Sequence, residues 1–218
     1  MNIIYIINVL DILYFMVTNK VITKEIISDL VVRSYGIAKS HGFHDEVRSV
    51  GHYLMLVLSE VGEMVEADRK SRHADLHAFM RFSDAIAFDD NFKTCIKDTF
   101  EDEMADVVIR LCDFCGAMGV LPFDTNEMVT MSEEFLSLYG NSSVCEQCFA
   151  LSHLIVDISD TDYEVGNDES CIDFMNRIGS AMCFVFEMAN RQGIDLLRHV
   201  ELKMRYNEGR PSKHGKNY

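Results

Sequence analysis

The sequence predicts an all-α protein, a helical bundle. Only two prolines interrupt its 218 residues, apolar positions recur at helical rather than alternating spacing, and 13 methionines with no tryptophan supply core filler. A chain of this length forms one large domain or two small ones and buries a core without staples.

In chain order, the apolar stretch "MNIIYIINVLDILYFMV" comes first. It is too short for a membrane span, contains Asn8 and Asp11, and lacks the basic flank of a signal peptide. We expect a core helix or a segment upstream of a start at Met16, and treat 1–21 as an apolar N-terminal extension. A first helix covers about 22–40 and stops at "SHGFHD". A second starts after Ser49, an N-cap, and runs to about Lys70. A loop spans roughly 71–93. Thr99 and Asp102 then form a capping pattern for the third helix, and Gly116 and Gly119 mark its far end.

The second half repeats this order. "TNEMVTMSEEFLSLYG" (125–140) echoes "TKEIISDLVVRSYG" (23–36), and "FALSHLIVDIS" (149–159) echoes "LVLSEVGEMVE" (56–66), with Ser152 over Ser59. "MNRIGSAMCFVFEMANRQGID" (175–195) echoes "EDEMADVVIRLCDFCGAMGVL" (101–121), with Gly193 over Gly119. Identities are few, but the order and lengths of three successive elements agree. We read 22–121 as a three-helix repeat, 122–195 as a degenerate second copy, and 196–218 as a final helix with a basic tail.

A net charge of −15 excludes a nucleic-acid-binding surface, which needs a basic footprint. The cations are uneven, because Lys203, Arg205, Arg210, Lys213 and Lys216 crowd the C-terminal stretch. An acidic body with such a tail implies an anionic ligand for the tail. Seven cysteines, an odd number, fit a reduced cytoplasm, and we expect no membrane partner.

Two glutamates interrupt the apolar run of the second helix, Glu60 and Glu63, and the same spacing recurs on the third as Glu103 and Asp106. Residues at i and i+3 share a helix face. If the helices pack antiparallel, four acids converge. Two like charges ~5 Å apart at an effective dielectric of about 20 repel by roughly 3 kcal/mol. A divalent cation removes that conflict, and a cage of oxygen ligands suits a hard ion, Mg²⁺ or Mn²⁺. The competing reading is a solvated face paired with Arg69, Lys70 or Arg110; the interrupted apolar stretch argues against it. A di-iron bundle needs Glu-x-x-His, and no histidine here follows a glutamate at that spacing.

"SEVGEMVEADRK", "FEDEMADVVIRL" and "GIDLLRHVELKMRYNEGRPSKHGKNY" resemble the MazG-like all-α nucleoside triphosphate pyrophosphohydrolases. The likeness covers roughly 22–119 and 193–218. It implies Mg²⁺-dependent cleavage of an NTP or dNTP between the α and β phosphates, giving a monophosphate and pyrophosphate, a nucleotide-pool house-cleaning reaction. It makes Glu60, Glu63, Glu103 and Asp106 the metal ligands and catalytic acids. Lys203, Arg205, Arg210, Lys213 and Lys216 would then meet the phosphates, with Tyr206, Asn207 and His214 at base or sugar. The chain departs from that pattern where residues 120–193 intervene before "GID", and in its long 71–93 segment. Members of the family pair their subunits. A homodimer is one expectation, and a pseudodimeric monomer with the second copy as internal partner is the other.

The second copy carries His153, Val156, Arg177 and Ser180 where the first has its four acids, so we expect no site there. Cys112-x-x-Cys115 and Cys145-x-x-Cys148 lie too far apart for a zinc ribbon and inside helices, and read as core cysteines. His41, His44 and His52 read as surface or capping residues. The alternative to an enzyme is a non-catalytic helical protein that binds nucleotide or a partner; the intact acid quartet favours the enzyme.

Overall fold

Thr23, Ser49 and Thr99 each accept a hydrogen bond from a backbone N–H three residues on, and each begins a helix. The computed structural model describes residues 22–81, 88–122, 139, 142–161, 163 and 168–212. Among them the chain is all-α, with eight α-helices, one 3-10 turn and no strand. Helix α1 is Lys24–Ser40, α2 Val50–Arg69, α3 Leu76–Arg81, α4 Phe88–Cys95 and α5 Phe100–Met118. Then follow α6 (Val144–Asp157), a 3-10 turn (Ile158–Asp160), α7 (Asp168–Arg191) and α8 (Leu196–Glu208). Helix α5 ends at Gly119, whose φ of 69° is the left-handed conformation that glycine adopts without a Cβ penalty.

Helix α5 is the axis of the molecule. Phe100, Met104, Val107, Val108, Leu111 and Phe114 are buried along it, and it packs against α1, α2, α7 and α8. Tyr53 meets Phe114, Glu60 meets Arg110 and Glu63 lies beside Glu103, so α2 and α5 run antiparallel. Helix α6 packs on α2, and α7 on both α6 and α5. At Gly116 a Cβ would lie 2.4 Å from the Cβ of Tyr35 on α1, so only glycine permits the α1–α5 approach.

The segment expected as a loop over 71–93 is instead partly helical. Helices α3 and α4 build a second, smaller apolar cluster, Phe79, Phe88, Phe92 and Ile96, closed by Leu202 and Tyr206 of α8. A capping box of Ser143 and Glu146 opens α6, whereas α7 begins at Asp168, earlier than its echo of α5 suggests. The extension 1–21 and, apart from Tyr139, the segment 125–140 lie outside the described residues. No helix among the described residues is long and apolar enough to cross a membrane.

All seven cysteines are free thiols. Cys112, Cys115, Cys148 and Cys183 are buried, whereas Cys145 is exposed. Burial raises the Cys148 and Cys183 thiols to about 12 and takes Cys112 and Cys115 up as well, so these sulfurs stay protonated.

Candidate metal centre and cleft

One cleft of about 190 Å³ gathers most of the residues singled out by sequence. Glu60 and Glu63 line it from α2, Glu103, Asp106, Ile109, Arg110 and Asp113 from α5. Those α5 positions recur at intervals of three and four, the stripe of one helix face. Lys203 and Asn207 of α8 and Arg210 just beyond it line it too, again four and then three apart.

Glu60, Glu63 and Glu103 present carboxylate oxygens that all lie within 4.8 Å of one another. Glu60 and Glu103 are buried and Glu63 is exposed. Burial raises the Glu60 carboxyl, helped by Asp106 and opposed by Arg110, whose Nε donates to Glu60 Oε1 at 3.0 Å. Burial and then Asp106 push Glu103 up to about 9, so it carries a proton at neutral pH. Asp98, Asp102 and Glu103 form a second close set of oxygens. Asp98 sits at φ 60°.

Asp106 lines the same cleft but is engaged by a cation of the chain itself. Lys203 Nζ bridges Asp102 Oδ2 at 2.7 Å and Asp106 Oδ2 at 2.8 Å, with Asp102 fully buried and Lys203 nearly so. Burial works against the ammonium, yet Asp106 and Asp102 overcome it and hold Lys203 firmly charged. Burial lifts Asp102 to about 6 in spite of that partner. Sequence reading used Asp102 only as a capping residue. Its carboxylate in fact accepts from the Asp98 N–H and from Lys203. The signal for it was faint: an acid between Glu101 and Glu103, on a helix buried on nearly every side.

The other expected substrate residues divide. Arg210 reaches the cleft, with its guanidinium 5.8 Å from the Tyr206 ring centre. Tyr206 does not line the cleft; it stacks on Phe92 at 4.4 Å and 14° in the second cluster. Arg205 lies over Phe88, also away from the cleft. Lys213, His214 and Lys216 are outside the described residues.

The histidines are more deeply engaged than surface roles imply. His41 caps α1, its Nδ1 2.8 Å from the Ile37 carbonyl and its Nε2 2.8 Å from the Arg210 carbonyl, tying the start of the tail to α1. His44 is half-buried, its Nε2 2.7 Å from Asp113 Oδ1 and its Nδ1 3.1 Å from the Tyr53 hydroxyl. In the second half, His153 and Val156 are exposed, Arg177 pairs with Asp157 and Asp173, and Ser180 donates to the Asn176 carbonyl.

The carboxylate set is chemically suited to a hard divalent ion. Arg110, Lys203 and Arg210 around the same cleft can neutralise an anion bound beside the ion. No family model, no curated protein and no solved structure matches the chain.

Proposed function

We propose that this protein is a divalent-cation-dependent nucleoside triphosphate pyrophosphohydrolase, converting an NTP or dNTP and water to the monophosphate and pyrophosphate. The observation that carries the reading is the convergence of Glu60, Glu63 and Glu103 in a cleft that Lys203 and Arg210 also line. The resemblance of the acid pairs and the C-terminal stretch to the MazG-like enzymes supports it.

Glu60, Glu63 and Glu103 would hold Mg²⁺ or Mn²⁺, with Asp106 beside them. Such an ion supplies a Lewis acid that neutralises phosphate charge and makes water a better nucleophile. Phosphoryl chemistry asks the chain mainly for positioning and charge. Arg110 keeps Glu60 oriented through its hydrogen bond. Lys203 fixes Asp106 toward the cleft. Arg210, a guanidinium on the rim, offers a two-pronged contact to phosphate. Glu63, the exposed member, meets water and substrate first. The second helical pair, α6 and α7, would serve as an internal scaffold in place of a second subunit.

The test is a panel of NTPs and dNTPs with Mg²⁺, scored for pyrophosphate against orthophosphate. We expect pyrophosphate from at least one substrate, none in EDTA, and a loss of about a hundredfold or more in Glu63→Ala or Asp106→Ala. Orthophosphate as the main product, or full activity in EDTA, defeats the proposal.

A further inference from the structure

One residue of the tail is held at its backbone and used at its side chain. Arg210 lines the cleft, while its carbonyl oxygen lies 2.8 Å from Nε2 of His41, the residue that caps α1. The same imidazole has its Nδ1 2.8 Å from the carbonyl oxygen of Ile37. Ser212 adds a bond in the other direction, its hydroxyl donating to the His41 carbonyl at 3.1 Å. Gly42 lets the two segments meet. Its φ of 81° turns the chain off α1, and an added Cβ would stand 2.9 Å from Asp45 Oδ2 and 3.6 Å from Ser212 Oγ.

A carbonyl oxygen can only accept. A neutral imidazole carries one N–H, so it serves one of two carbonyls and turns a lone pair toward the other. Two lone pairs facing each other at 2.8 Å repel. Ser40 does not relieve this, because its hydroxyl, 3.3 Å from Nδ1, gives its one proton to the Ile37 carbonyl. The imidazolium has two N–H groups and satisfies both acceptors with charge-assisted bonds. The place suits a cation too, since Ile37 belongs to the last turn of α1, where a helix end carries its partial negative charge. The charged and titratable groups of the segments that meet here are otherwise engaged or turned aside. Lys39 of α1 lies over the Tyr35 ring, His44 meets Asp113 and Tyr53, and Glu46 pairs with Arg48. Asp45 lies against Gly42, and the Arg210 guanidinium stands beside Tyr206 at the cleft.

We propose that His41 is a positioning residue that works as an imidazolium clasp: doubly protonated, it fastens the start of the tail to α1 and so sets Arg210 in the cleft. The clasp itself is independent of the hydrolase reading; the use of Arg210 on phosphate rests on it. Loss of one proton breaks one of the two ring bonds. The tail start then depends on the Ser212 hydroxyl and on the Arg210 N–H, which bonds back to the Asn207 carbonyl at 3.2 Å. Pro211 has no N–H to replace what is lost. The clasp therefore closes as pH falls, and opens as pH rises through the range in which an imidazole changes charge, ordinarily between pH 5 and 8. Deprotonation of the acids gives ion binding the opposite pH dependence, so a variant lacking only the imidazole is compared at each pH.

Long-range proton–nitrogen spectra of protein labelled with nitrogen-15 histidine report the protonation of each ring nitrogen at pH 6 and pH 9, with His41 assigned from its absence in His41→Asn. Exchange of the Gly209 and Arg210 amides, corrected for its intrinsic pH dependence, reports whether the tail start is held. Inorganic tripolyphosphate with Mg²⁺ is titrated into wild type and His41→Asn at both pH values. We expect both His41 nitrogens to carry protons at pH 6, and the two amides to be protected at pH 6 and much less so at pH 9. Wild type should bind tripolyphosphate about tenfold tighter than His41→Asn at pH 6, and the two should converge at pH 9. A neutral His41 at pH 6 beneath protected amides overturns the clasp. Equal binding by wild type and variant at pH 6 overturns the positioning of Arg210. A deficit of the same size at both pH values overturns it too, by showing a merely structural role. Clasp behaviour in a protein that releases no pyrophosphate from any nucleotide retires the hydrolase reading and keeps His41 as the positioning residue for a bound anion.

Discussion

Glu103 is the residue on which most of the electrostatics turns. Its folded-state value near 9, against 4.5 for an ordinary glutamate, means that the native chain holds this proton more tightly than the unfolded one. Its contribution to stability is therefore full below about 4.5, falls as pH rises, and is gone above about 9. In EDTA, urea unfolding between pH 5 and 9 should show stability falling steadily as pH rises, on the order of 1 kcal/mol per pH unit, from this group. Glu103→Gln should remove that part of the slope and tighten the metal-free fold at pH 8. Parallel pH profiles for wild type and variant would mean that Glu103 does not carry the proton. An ion held as proposed would compete with this proton, so Mg²⁺ affinity should rise with pH in wild type. Spacing alone made Glu60, Glu63, Glu103 and Asp106 legible, because i and i+3 fix a shared face whatever the tertiary context. Asp102 was hidden for the converse reason. It is fully buried, and only the packing of α8 reveals that Lys203 comes to meet it together with Asp106.

At the scale of elements, caps and breakers made the long helices readable. Thr23, Ser49, Thr99 and Gly119 each do locally what their chemistry prescribes. The short α3 and α4 were not readable, since six and eight residues give too few turns for a periodic stripe to stand out. Phe88 and Phe92, four apart, were the trace of them, but the partner that makes them a core, Tyr206, is more than a hundred residues away. The tightest helix contact is also invisible in sequence. Gly116→Ala gains about 1 kcal/mol of helix propensity. The added Cβ meets the Tyr35 Cβ, which is anchored to backbone and cannot swing aside. Overpacking costs typically about 1–3 kcal/mol, so the clash wins and the melting temperature should fall by several degrees. Tyr35→Ala in the same background should restore part of the loss. An unchanged or higher melting point for Gly116→Ala would show that α1 shifts freely.

For the whole molecule, α5 is the element that everything else covers. Helices α1, α2, α7 and α8 each take one side of it, and α6 reaches it through α2 and α7. Helices α6 and α7, which hold the segments 149–157 and 175–191, are laid against α2 and α5. The four positions that echo the acids lie on exposed or partly exposed surface. A fragment of residues 22–122 would uncover Phe114, which packs on Phe174, and would leave Asp102 buried without Lys203. An unpaired buried charge and a stripped core face are both costly. We expect that fragment to lack a cooperative thermal transition and to bind no nucleotide. A soluble fragment that melts as sharply as the full chain would show the second half to be an independent appendage.

The distribution of thiols gives the protein a built-in clock. Cys145 stands in solvent on α6, while Cys112 and Cys115 sit on the axial helix with no exposed surface. Iodoacetamide should therefore alkylate Cys145 within the native state, and reach Cys112 and Cys115 only when α5 leaves its neighbours. Peptide mapping over a time course then reads, at two addresses in one chain, a surface reaction and the rate of core opening. Adding Mg²⁺ should slow the second without touching the first, since the ion would bridge α2 to α5. If all three sulfurs react at one pace, the axis opens far more readily than its burial implies.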